Sequence, residues 1–83
     1  MGPTIYQAEV LAALHGEARL TVQQLAEATA RGVRTVRNAV AGLSRDGQVA
    51  PAAGRDAWTL TDSGRSWLKT SRGRTALDFG RKP

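Results

Sequence analysis

Residues 21–47 read TVQQLAEATARGVRTVRNAVAGLSRDG, and the fold turns on how that stretch divides. Thr21 and Gln24 stand at capping-box spacing, in which each side chain serves the other residue's free backbone N–H. Leu20, just before the cap, and Leu25, at the fourth helical position, are placed to form a hydrophobic staple. Val22, Leu25, Ala26 and Thr29 then share one face of a short helix. So short a helix is unstable alone and must be held by packing. Residues 30–32 interrupt the pattern, and Gly32 is the residue expected to let the backbone turn sharply. A further helix is predicted over residues 33–46, with Gly47 as its stop. There Val33, Val36, Val40 and Leu43 fall at i, i+3, i+7 and i+10, a single apolar stripe.

Upstream, Thr4 and Gln7 form a second capping box. They open a first helix in which Ile5, Tyr6, Val10, Ala13 and Leu14 recur at helical spacing, with Gly16 after it. Downstream, residues 48–51 read as a short strand that Pro51 confines to a sheet edge. Residues 53–56 are a turn, and residues 57–60 a returning strand with Trp58 and Leu60 on one face. Thr61 caps a fourth, short helix over residues 61–69. Residues 71–83 carry Arg72, Arg74, Arg81 and Lys82 but few apolar side chains, and are expected to be a flexible basic tail. The expected organisation is thus one domain over residues 1–70 and a tail over 71–83. The expected fold is mainly α with a small β-hairpin.

The chain has 83 residues and no cysteine, so it holds one small core without disulfides or a thiolate metal site. His15 is the single histidine; it closes the first helix, where a cation is favourable against the helix dipole. One histidine and seven scattered carboxylates offer no converging catalytic set, so neither enzyme activity nor a metal or other cofactor is expected. No apolar run reaches the roughly 20 residues of a membrane helix, and the start lacks a signal-peptide pattern. A cytoplasmic setting without membrane contact is therefore expected. Charge is lopsided. Residues 1–30 carry Glu9, Glu17, Glu27 and Arg19, whereas residues 31–83 carry eleven basic and four acidic residues. One basic side is the electrostatic footprint of a nucleic-acid binder.

The order helix, helix, tight turn, helix, hairpin, helix is that of a winged helix-turn-helix. Residues 20–68 resemble that superfamily. TVRNAVAGLSRDGQV (residues 35–49) looks like the recognition helix and first wing strand of MarR-like, PadR-like and DeoR-like regulators. WTLTDSGRSWL (residues 58–68) looks like their second wing strand and following helix. The wing is short here, and Gly32 replaces the Ser or Asp usual before the recognition helix. The resemblance implies a three-helix core, a two-stranded wing and a short C-terminal helix. It also implies sequence-specific binding to double-stranded DNA, as a small transcriptional regulator or a phage- or plasmid-type DNA-site factor.

An α-helix fits the major groove, where each base pair shows its own donor and acceptor pattern. The third predicted helix opposes its apolar stripe with Arg34, Asn38, Ala41, Gly42 and Arg45, flanked by Thr35 and Arg37. Arg34, Thr35 and Asn38 are the expected base readers. Arg31, Arg37, Arg45 and the turn residue Arg55 are the expected phosphate contacts. Gly42 on an exposed face suggests close approach to DNA. Trp58 and Trp67 are expected in the core rather than as base-stacking platforms, with one of them able to form a subunit contact in a homodimer. No small-molecule ligand is expected. A protein–protein winged-helix module is the alternative reading; it calls for an apolar reading face, which Arg34, Asn38 and Arg45 oppose.

Overall fold

The computed structural model describes residues 2–80. Its elements run α1 (Ile5–Leu14), β1 (Leu20–Thr21), α2 (Val22–Thr29), α3 (Val33–Arg45), β2 (Val49–Pro51), β3 (Ala57–Leu60), α4 (Asp62–Leu68) and α5 (Ser71–Gly80). The described chain is mainly helical with a small antiparallel sheet. Both capping boxes form. The Thr4 N–H donates to Gln7 Oε1 at 2.9 Å and the Gln7 N–H to Thr4 Oγ1 at 3.2 Å. Thr21 and Gln24 repeat the exchange at 2.9 and 3.1 Å. Thr61 caps α4 by accepting from the Gly64 N–H at 3.2 Å. These bonds satisfy first-turn donors that a helix cannot satisfy itself.

The turn between α2 and α3 is made differently from the sequence expectation. Ala30, not Gly32, takes the left-handed conformation, at φ 57° and ψ 33°. Its N–H reaches the carbonyls of Ala26 and Glu27, closing α2. Gly32 sits in ordinary extended backbone at φ −69° as the N-cap of α3, with no side chain to cap it. The chain therefore reverses at the helix cap, and the glycine's freedom is not used for the reversal.

The hairpin is joined by a third strand that the sequence reading missed. The order is β1-β3-β2, all antiparallel. Leu20 lies opposite Trp58 and Thr21 opposite Ala57, while Val49 lies opposite Leu60 and Pro51 opposite Trp58. β1 is two residues long, too short to show alternation in sequence. Pro51 lies on the edge strand, where its missing N–H costs no ladder bond.

The core joins Val10, Leu11 and Leu14 of α1, Val22, Leu25 and Ala26 of α2, and Val36, Ala39, Val40 and Leu43 of α3. Val49, Leu60 and Leu68 close it, and Trp58 and Trp67 pack against it. Three expected apolar positions do not belong. Val33 is 43 % exposed, Tyr6 44 % and Ile5 68 %. Each lies in the first turn of its helix, at the edge of the core.

The flexible tail is corrected over Ser71–Gly80, which forms α5 and packs on α1 and α4. Two contacts explain it. Leu77 packs against the core, and Gly73 is buried where a Cβ would collide with the backbone of Trp67 and Leu68. Thr70 starts the helix by accepting from the Gly73 N–H at 3.1 Å. The domain boundary expected at residue 70 thus falls inside one packed body. Arg81 and Lys82 lie outside the described residues.

Candidate nucleic-acid interface

Helix α3 is sharply two-sided. At 100° per residue, the buried Val36, Ala39, Val40 and Leu43 centre on one side. Arg34, Asn38, Ala41 and Arg45 are exposed on the other. Among the described residues Arg34, Arg45 and Arg55 make no ion pair. Their donors are therefore free for an anion or a base edge. Burial on one side fixes the helix, and the cations stand on a rigid support.

The two flanks of this face differ. Toward α1, the half-buried Thr35 joins Asn38 and Ala39 in a recess of about 340 Å³ completed by Thr4, Tyr6 and Gln7. Thr35 thus faces α1 more than the open side, and Asn38 stands at the border of both. Gly42 is explained here as well. A Cβ at Gly42 would meet the amide nitrogen of Gln7 inside van der Waals contact. The glycine makes room for the capping-box side chain of α1, and close approach to DNA is not needed to account for it.

Toward the hairpin, Arg37 Nη2 donates to Asp56 Oδ2 at 3.1 Å. Both partners are about half exposed, so the pair contributes at most about 1 kcal/mol. The two side chains border a recess of about 220 Å³ with Arg55, Thr21, Val22, Gln23 and Val33. Arg37 and Arg55 are thereby brought together with the start of α2. Asp56 has φ 55°, and its carbonyl accepts from the Val22 N–H at 3.0 Å.

Arg31 is the expected phosphate contact whose surroundings differ most from a free side chain. Its Nε and Nη2 donate to Glu9 Oε1 and Oε2 at 2.9 and 3.0 Å, a bidentate pair. Its guanidinium carbon lies 4.8 Å from the centre of the Tyr6 ring, within cation–π range. The hydrogen bond it donates to Glu9 pushes the guanidinium pKa further above its ordinary value. Arg31 fastens the α2–α3 turn to α1 and so positions α3.

Sequence reasoning missed Glu9, Tyr6, Gln7 and Asp56. All four act through tertiary contacts with residues far along the chain, and periodicity carries no trace of such pairs. Among the described residues no group of His, Asp or Glu side chains is arranged to hold a metal ion. No described helix is long and apolar enough to cross a membrane. Comparison with protein-family models, curated proteins and solved structures finds no match to the chain.

Proposed function

We propose that this chain is a winged helix-turn-helix domain that binds double-stranded DNA with base preference, α3 being the reading helix. One observation carries the reading: Arg34, Asn38, Ala41 and Arg45 line the open side of a helix whose other side is buried in the core. Small Ala41 lets the helix approach closely. Arg34 is suited to guanine and Asn38 to adenine, each by two hydrogen bonds. Arg45 and Arg55 are suited to phosphate. The antiparallel β2–β3 hairpin that follows α3 and packs on it through β2 supports the reading, since a wing needs such a hairpin. The biological role that fits is a small transcriptional regulator or DNA-site factor.

Titration of labelled random duplex at rising salt tests this. Each neutralised phosphate adds about −0.9 to the slope of log K against log salt. With roughly four to six contacts, affinity should fall by about two to three decades between about 50 and 200 mM salt. No binding at low salt, or a flat salt response, sinks the proposal. A protein-binding module is the second reading, favoured by the exposure of Ile5 and Tyr6 on α1. It keeps α3 free of DNA and gives that flat response.

A further inference from the structure

Arg37 stands exposed on the hairpin flank of the face that carries Arg34 and Asn38, three positions after Arg34, and Asp56 reaches it there from the hairpin turn. Resting on the DNA-binding reading above, we propose that Arg37 reads a base edge, guanine by its chemistry, and that Asp56 is the positioning residue that aims it. This reverses the phosphate role expected for Arg37 from sequence.

The argument is electrostatic and geometric. A carboxylate beside a phosphate-binding arginine opposes the contact, because phosphate and carboxylate repel each other. A base edge carries no net charge, so the carboxylate opposes that contact far less. Guanine offers two acceptors in the major groove, which a guanidinium meets with two parallel donors. Asp56 takes one hydrogen bond from Nη2 of Arg37, which carries a second N–H, and that N–H together with Nη1 makes the two-donor edge a guanine needs. Holding one corner of a planar fork fixes its plane and reduces the side-chain entropy lost on binding.

Asp56 is itself held firmly. Its carbonyl accepts from the first N–H of α2, and the adjacent Ala57 pairs with Thr21 of β1. Its backbone is left-handed at φ 55°, a conformation that Asp and Asn tolerate better than other side chains. The carboxylate is therefore placed by the main chain of three elements, and the arginine is placed by the carboxylate.

Asp56→Asn tests the proposal while keeping the turn, and Arg37→Ala and Arg37→Lys complete the set. Sites are first selected from a random duplex pool with the unaltered protein. Affinities are then measured on the best site, on versions with each G·C pair replaced, and on random duplex at two salt concentrations, with melting followed in parallel. In Asp56→Asn the preference at one G·C pair should fall by about threefold to fivefold. Random duplex should bind tighter, and the salt slope should steepen by about one unit as Arg37 turns to phosphate. Arg37→Ala and Arg37→Lys should lose the same preference, since lysine cannot make the paired contact. If the preference survives every change while Arg37→Ala shallows the slope by about one unit, Arg37 is a phosphate contact and the inference is overturned. Absence of duplex binding by the unaltered protein overturns the DNA-binding reading and this inference with it. If Asp56→Asn fails to fold, Arg37→Lys decides the matter on an unchanged turn.

Discussion

Ala30 ends α2 in left-handed backbone at φ 57° and ψ 33°, so Ala30→Gly relieves a steric cost at one defined position. An L-residue with a Cβ pays about 1–2 kcal/mol there. Glycine's greater freedom in the unfolded chain takes back about 0.4–1 kcal/mol. Nothing else is lost, because the Ala30 side chain is exposed and its N–H bonds to Ala26 and Glu27 are main-chain bonds. The net gain is about 0.5–1 kcal/mol, which in a domain of this size raises the melting midpoint by roughly 2–8 °C. Thermal unfolding followed by circular dichroism, with a urea titration beside it, measures this. The urea midpoint should rise while the slope stays unchanged. Ala30→Val should move the other way, since a β-branched side chain is a severe outlier in this conformation. A midpoint that falls or stays put in Ala30→Gly refutes the reasoning, because the turn then does not need left-handed backbone at this residue.

Arg34→Ala or Asn38→Ala should cost about 1–3 kcal/mol on the preferred duplex and less on random DNA. Equal losses on both, in a fluorescence anisotropy titration, remove these residues from base reading. Arg31→Ala and Glu9→Gln should both lower the melting midpoint and leave the salt slope of duplex binding intact, since their bond joins α1 to the α2–α3 turn. A shallower slope in Arg31→Ala alone marks Arg31 as a phosphate contact. Deleting residues 71–83 should destabilise the domain. It strips packing from Leu68, and with Leu77 forfeits part of the roughly 1.5–3 kcal/mol that a fully buried leucine contributes. An unchanged melting curve for the truncated chain shows that α5 is dispensable.

The helices were legible where local chemistry defines them. Thr4 with Gln7 and Thr21 with Gln24 announce their caps within four residues, and the stripe of Val36, Val40 and Leu43 announces the buried side of α3. β1 was illegible because two residues have no period, and its existence depends on a partner strand far along the chain. α5 was misread because Leu77 and Ala76 look like too little apolar surface when counted alone. What holds the helix is the close contact at Gly73, which only the assembled α4 reveals. In the candidate interface, Arg34, Asn38 and Arg45 follow from the helix face alone. The partners of Arg31 and Arg37 do not, since Glu9 and Asp56 lie 22 and 19 positions away. Gly42 shows the same limit: from the sequence it faces outward, but Gln7 of α1 already occupies the space beside it.

The β1–β3 seam bears on the route by which the chain folds. Its side-chain fastening, from Thr59 Oγ1 to the Ala18 carbonyl at 2.8 Å, joins positions 41 residues apart. A loop of that length must be closed, at an entropic cost, before the contact returns anything. The α2–turn–α3 unit needs no such closure. On this topology the helical pair belongs to the folding nucleus and the seam zips afterwards. Loosening the seam, as by Thr59→Val, should therefore act on the unfolding rate and spare the rate of refolding. The hairpin would then be the first part of the molecule to let go, while the helix that carries Arg34 and Asn38 stays assembled behind it.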